Sequence, residues 1–418
     1  MLLRRQALVV LVLSPIHPRS NASLTLIISA SDCIWFYLES ILNKSLGGRI
    51  VLVVFSWCLA ISTPFSQPLS SAFEIKTVAA GLSFPWGMAF LPDGRLLVTE
   101  RIGRLRIISA TGEVSAPLKG TPAVLNEKQG GLLDVVIDPD FARNSLVYLS
   151  YAEPQEQLAG TAVARARLDV DGLMLKDLQV VFRQFPKTRG AQHFGSRLVF
   201  APDGNLFITL GDRWDFMQEA QQINNHFGKL VRIRPNGSIP ESNPFMDDPQ
   251  AKPEIWSYGH RNMQGAAIHP QTGKLWIHEH GPRGGDEINI PESGKNYGWP
   301  YASYGMHYWM VPIKDEHAEQ GFEEPIHHWT PSIAPSGMVF YTGDLFPVWK
   351  GNLFIGALAG MQLVRLVLDG QKVVAEEPLL KGMARIRDVE QGPDGALYLL
   401  TDEANGKLLK LIPEKTLQ

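Results

Sequence analysis

The chain of 418 residues is 45% hydrophobic and 19% charged, with 38 glycines and 29 prolines; this turn- and strand-rich profile disfavours a helical protein and leaves room for one large domain or two ordinary ones. Its net charge of −3, with no basic block, argues against a nucleic-acid partner. Cys33 and Cys58 are the only cysteines, which excludes a disulfide framework, a thiolate metal site and a thiol nucleophile from everything beyond residue 58.

Residues 50–61 form a short apolar run, preceded by Lys44 and Arg49 and followed by the small residues Ser70, Ser71 and Ala72. Positive, apolar, then small is the pattern of an export signal, and the run falls short of the ~20 apolar residues of a membrane span. Residues 1–43, with a second apolar stretch from Leu24 to Leu38, lie outside any ordinary signal. We read 1–72 as an N-terminal extension plus signal peptide, with a translation start set too early, rather than as a two-segment membrane anchor. The mature domain, 73–418, is then expected in the periplasm or secreted, without a stable membrane span.

From residue 81 onward one pattern recurs: an apolar strand, a turn often reading Pro-Asp-Gly, and a second apolar strand. The copies are Gly87–Thr99, Leu132–Tyr151, Arg197–Thr209, Gly265–Ile277, Gly337–Gly356 and Asp388–Leu400. Proline presets φ and glycine takes φ > 0, so the turn reverses the chain between strands. Six such hairpins predict an all-β fold, a six-bladed β-propeller, over a sandwich or barrel with common turns. The uneven intervals place long loops on the propeller faces, where sites are built.

Polar residues concentrate in a few segments. In Thr188–Arg197, His193 is the acid/base candidate, against a loop histidine satisfied by backbone. In Gly259–Gly265, Arg261 offers a planar fork for an anion and Asn262 and Gln264 add amides, against a merely charged turn. Glu279–Glu287, continuing to Asn296–Pro300, mixes glycine carbonyls with the carboxylates of Asp286 and Glu287, the oxygen set that calcium takes, against a solvated acidic turn. Arg385 and Arg387 share one face of an extended segment and repel each other unless an anion lies between them. Neither a Gly-x-Gly-x-x-Gly dinucleotide turn nor a Gly-x-Ser-x-Gly elbow is present.

Taken in order, Gln129-Gly-Gly-Leu-Leu, His193 before Gly-Ser-Arg-Leu, Gly259-His-Arg-Asn-x-Gln-Gly, Gly281-Pro with Asp286-Glu-Ile-Asn and Asn296-Tyr-Gly-Trp-Pro, and Arg385-x-Arg-Asp-Val carry a resemblance. Over roughly residues 73–415 the chain resembles the soluble quinoprotein glucose dehydrogenases, above all their aldose sugar dehydrogenase branch. The resemblance implies a six-bladed propeller that uses pyrroloquinoline quinone (PQQ) and calcium (Ca2+) to oxidise aldoses to lactones, passing electrons to an external acceptor. It implies His193 as general base at the anomeric hydroxyl, and hydride transfer from the anomeric carbon to the quinone. Arg261 and Asn262 would hold the quinone, Arg261 also steadying charge on its oxygen. Gln129 would touch quinone or substrate, and Arg385 and Arg387 the cofactor's carboxylates. The carbonyls of Gly281 and Pro282 would hold the catalytic calcium, and Glu287 and Tyr297 a second, structural one.

The chain departs from glucose-specific members at Ala359, where they carry a lysine against the cofactor, at Gln192, where they have an aspartate, and in shorter connecting loops. These departures point to the broader aldose branch. A small-molecule aldose substrate and a monomer or homodimer are expected. Two other readings are a calcium-dependent propeller lactonase, which leaves Arg385 and Arg387 without an anion, and a non-catalytic binding propeller, which leaves His193 and Arg261 unexplained.

Overall fold

Three of the repeated turns use one device. Gly94, Gly204 and Gly395 have φ of +86°, +80° and +77°. Their N–H groups donate to the carbonyls of Leu91, Ala201 and Gly392 at 2.9 Å. In each, the preceding aspartate (Asp93, Asp203, Asp394) accepts the N–H of the residue after the glycine, at 3.0, 3.0 and 3.2 Å. The second copy, which lacks the glycine, instead turns through the short helix Phe141–Asn144 and Ser145 at φ +55°.

In the computed structural model, which describes residues 72–414, these hairpins are the inner strands of six antiparallel sheets. The residues read as extension and export signal lie, except for Ala72, outside the described residues. The first sheet has three strands, Pro85–Phe90, Leu96–Glu100 and Arg104–Ile108. The next four have four each and start at Leu132–Ile137, Leu198–Phe200, Met263–Ile268 and Pro335–Phe340. The sixth runs Ile386–Gln391, Leu397–Thr401, Gly406–Pro413 and takes its outer strand from the other end of the domain: Phe73–Leu82 pairs with Gly406–Pro413 from Phe73↔Pro413 to Leu82↔Gly406. This pairing closes the ring by joining strands from the two ends of the domain in one blade.

The apolar core lies between the blades. Six clusters fill the six seams; Leu97 and Leu105 meet Leu132 and Val147 at one, and Tyr341 and Phe354 meet Ile386 and Leu399 at another. Both faces of each sheet are therefore covered, and strands such as Leu96–Glu100 and Leu353–Ala357 are buried at every residue. Each fully buried leucine or valine there contributes roughly 1.5–3 kcal/mol.

The ring axis is sealed by charge. Arg197 lies over Trp86 at 4.3 Å and bridges Asp134 (3.1 Å) and Asp388 (2.8 Å), joining blades two, three and six. Gly87 and Gly337 make room for these carboxylates: a Cβ would stand 2.6 Å from Asp134 Oδ1 and 2.0 Å from Asp388 Oδ1. Burial pushes the Asp388 carboxyl up to about 6 against the pull of Arg197. Among the described residues no helix is long and apolar enough to cross a membrane.

Candidate active site

His193 lies in the crossing from the second blade to the third, at φ +50° and 3% exposed. Three contacts fix it. Its N–H donates to Gln129 Oε1 at 2.7 Å, the Gly195 N–H donates to Asn262 Oδ1 at 3.2 Å, and its Nδ1 meets Asp212 Oδ1 at 2.6 Å. Asp212 follows the strand Leu206–Thr209 and is itself held by the Trp299 indole N–H (2.8 Å) and the Trp214 N–H (2.8 Å). The close approach of the two segments needs Gly211, where a Cβ would stand 2.2 Å from the His193 carbonyl oxygen. Burial, reinforced by Arg261 and Arg213, outweighs Asp212 and holds the His193 pKa below 6.5. Burial disfavours the Asp212 anion, but His193, Arg261 and the Trp214 amide more than offset that and keep it ionised. The ring is thus a neutral imidazole that an anionic carboxylate orients, with no protein hydrogen bond at Nε2 among the described residues.

Arg261 sits beside this pair in an aromatic box, 5.2 Å from the Trp299 ring, 5.9 Å from Tyr308 and 6.0 Å from Trp214. Trp214 packs edge-on against His193 at 5.0 Å and stacks on Tyr308 at 5.2 Å. The Arg261 Nη1 donates to the carbonyls of His280 (2.9 Å) and Gly281 (2.7 Å). One carbonyl assigned to calcium therefore already faces a cation. Gly281 lies in a tight cradle: its N–H donates to Asp286 Oδ1 at 2.9 Å, and a Cβ would stand 2.2 Å from the Gly284 carbonyl oxygen. Pro282 is buried beside it.

A cavity of about 490 Å³ opens over the axis, and Gln129, Asn262, Arg385 and Arg387 all line it, together with Ala359 and His280. His193 and Arg261 are not on its wall; Gln129 and Asn262 connect them to it. Arg385 and Arg387 share the Asp402 carboxylate, at 2.9 and 3.2 Å, as their alternation in the strand predicts. Burial pulls the Arg387 pKa down, and the like charges of Arg101 and Arg197 add to this despite Asp402. The Arg387 Nε is buried without a partner among the described residues. In total four cationic side chains, Arg101, Lys128, Arg385 and Arg387, face one carboxylate, Asp402. A site so unbalanced fits a ligand carrying several negative charges.

Glu287 and Tyr297 lie apart from this cavity. Asn289 Nδ2 donates to Glu287 at 3.0 Å and to Glu279 at 3.4 Å, while Asn289 Oδ1 is buried without a donor. Burial and neighbouring Glu279 push Glu287 well above the usual carboxylate range. Two buried carboxylates with an orphaned amide oxygen fit a hard cation. The Tyr297 hydroxyl is engaged elsewhere: it donates to the Ile290 carbonyl and accepts the Glu292 N–H, both at 2.9 Å. Among the described residues no three His, Asp or Glu side chains converge as a metal cage.

The sequence reading missed Asp212, Trp214, Tyr308, Arg101 and Lys128. Only Asp212 left a trace, as the charged residue that ends Thr209-Leu-Gly-Asp212 just past a repeat strand.

A family model described as Glucose / Sorbosone dehydrogenase matches residues 82–410. The chain is 49% identical over 345 residues to the aldose sugar dehydrogenase YliI of Escherichia coli K12, covering 81% of this chain and 93% of that one. Among solved structures it is similar to the soluble aldose sugar dehydrogenase of Escherichia coli in its apo-form (46% identity, TM-score 0.79, covering 82% and 100%). It is also similar to the PQQ-bound form of aldose sugar dehydrogenase from Streptomyces coelicolor (30%, TM-score 0.69, 82% and 98%).

Proposed function

Since the chain belongs to the glucose/sorbosone dehydrogenase family, we propose that it is a PQQ-dependent aldose sugar dehydrogenase, which oxidises the anomeric carbon of an aldose to the lactone. Bound quinone and calcium would supply a two-electron acceptor and a Lewis acid.

The residues present suit that cofactor. Arg385 and Arg387 would pair with its carboxylates, which the unpartnered Arg387 Nε and the excess of cations favour. Gln129 and Asn262 face the cavity and tie it to the His193 segment. The Gly281 and Pro282 carbonyls would hold the metal at the site, and Glu287 with the Tyr297 segment a second calcium that serves structure.

His193 takes the proton of the anomeric hydroxyl at Nε2. Asp212 holds the proton at Nδ1, so that Nε2 is the basic nitrogen, and steadies the imidazolium that forms. Arg261 brings a fixed positive charge, poised by its aromatic box and by the His280 and Gly281 carbonyls, to oppose negative charge developing nearby. Trp214 and Tyr308 shield the imidazole from water. Ala359 leaves its part of the wall uncharged, which favours a broad range of aldoses over glucose alone. Electrons leave to an external acceptor, and the enzyme works in the periplasm or outside the cell as a monomer or homodimer.

The observation that carries this reading is the cavity with four cations and one carboxylate, linked through Gln129 to the backbone of His193, whose ring Asp212 orients. Reconstitution tests it. Purified protein is mixed with PQQ and calcium and assayed for dye reduction with several aldoses. Reduction that needs both additions supports the dehydrogenase; hydrolysis of lactones without quinone, or inactivity in both assays, refutes it.

A further inference from the structure

Arg385 and Arg387 account for the one carboxylate on the cavity wall, Asp402. Arg101 is near enough to Asp402 to favour its anion, but among the described residues neither it nor Lys128, the other two cations there, makes an ion pair of its own. Arg101, just past the strand Leu96–Glu100 of the first blade, lies over the Phe84 ring at 4.9 Å. Its Nη1 donates to the Lys128 carbonyl at 2.6 Å, and its Nε is buried without a partner among the described residues. The Arg101 guanidinium and the Lys128 backbone are held in place. Gly131 lets the Lys128 turn close on the first blade, since a Cβ there would stand 2.2 Å from the Arg101 carbonyl oxygen. Leu132 N–H then donates to that same carbonyl at 3.0 Å. Arg101 acts as a like charge on buried Arg387, and an anion bound beside them would relieve that repulsion.

We propose that Arg101 and Lys128 form a second cationic wall of the cavity, binding a carboxylate of the quinone distinct from the one held by Arg385 and Arg387. This rests on the cavity being the PQQ site. Two negative groups are then gripped from two neighbouring blades, which fixes the cofactor's rotation as well as its position. The charge is concentrated on the first-blade side, while Ala359 on the fifth-blade side is neutral.

The test is equilibrium titration of the quinone-free protein with PQQ in the presence of calcium, read by quenching of tryptophan fluorescence, Trp86 being on the cavity wall. Arg101→Gln and Lys128→Gln are each expected to weaken binding by about ten-fold and to flatten its dependence on salt. Arg101→Lys, which keeps the charge, is expected to retain most of the affinity that Arg101→Gln loses, which a role resting only on the packing of the guanidinium against Phe84 and the Lys128 carbonyl would not allow. Lys128 has an exposed side chain, so its variant carries the test if Arg101→Gln fails to fold. Wild-type affinity in both Gln variants, or a loss in Arg101→Lys as large as in Arg101→Gln, overturns the second wall and leaves the cofactor reading intact. A wild-type protein that does not bind PQQ overturns both.

Discussion

His193 and Asp212 are 19 residues apart in the chain and share a 2.6 Å hydrogen bond inside the protein. The carboxylate reaches Nδ1, so the proton-accepting nitrogen is the other one. Asp212→Asn keeps the shape but not the charge, and the amide can present the wrong partner to Nδ1. Turnover with an aldose and a dye acceptor is expected to drop about 10²–10⁴-fold, with PQQ affinity little changed. Turnover within a few-fold of wild type would remove Asp212 from the mechanism.

The pH profile follows from the same pair. Burial holds the His193 pKa below 6.5, so the neutral form of the base predominates above that pH. The acid limb of kcat/KM is expected below 6.5, with no loss on going from 6.5 to 7.5. Asp212 is the group that raises the His193 pKa, so Asp212→Asn is expected to move the limb further down. A limb above 6.5 would show that a different group titrates.

Gly211→Ala tests how closely the His193 crossing is held. The new Cβ would meet the His193 carbonyl oxygen at 2.2 Å and Asn262 Oδ1 at 2.9 Å. Such overpacking costs about 1–3 kcal/mol and displaces the catalytic segment. Turnover is expected to fall far more than the melting temperature, because a displacement of about 1 Å at reacting groups can cost 10²-fold.

Calcium at Glu287 predicts a stability effect independent of activity. In quinone-free protein, calcium is expected to raise the melting temperature and a chelator to lower it, as any ligand of the folded state does. Glu287→Gln removes a buried carboxylate that lies close to Glu279. This variant is expected to melt no lower than chelator-treated wild type and to ignore added calcium. A normal calcium response in Glu287→Gln would place the ion elsewhere.

Stability itself depends on pH through His278. Its ring is fully buried, neither nitrogen has a hydrogen-bond partner among the described residues, and burial followed by the charge of His280 holds its pKa well below 6.5. The unfolded chain takes up this proton near 6.5 and the folded chain does not, so stability is complete above 6.5 and declines as pH falls below it. Melting temperature measured from pH 7.5 downward is expected to show that decline. His278→Leu is expected to make it shallower; an unchanged slope would assign the effect to other groups.

Much of the ring was legible because its signals are local. Pro92-Asp93-Gly94 and its relatives reverse the chain through the φ of single residues and one aspartate acceptor, and need nothing from the rest of the protein. The strand Phe73–Leu82, which closes the ring, was not legible, because it has no hairpin turn of its own and pairs with residues at the far end of the chain. Arg385 and Arg387 stood out because the two-residue period of a strand puts both on one face, and both reach Asp402.

By itself, then, the sequence determined the six hairpins and the kinds of polar group they carry, since turn geometry and strand alternation act over a few residues. Only the tertiary structure decided that Asp212 orients His193, that Gly281 faces Arg261, and that Arg101 and Lys128 share a cavity with Arg385. These contacts join separate blades, and their energies depend on distance and burial that no stretch of chain contains alone.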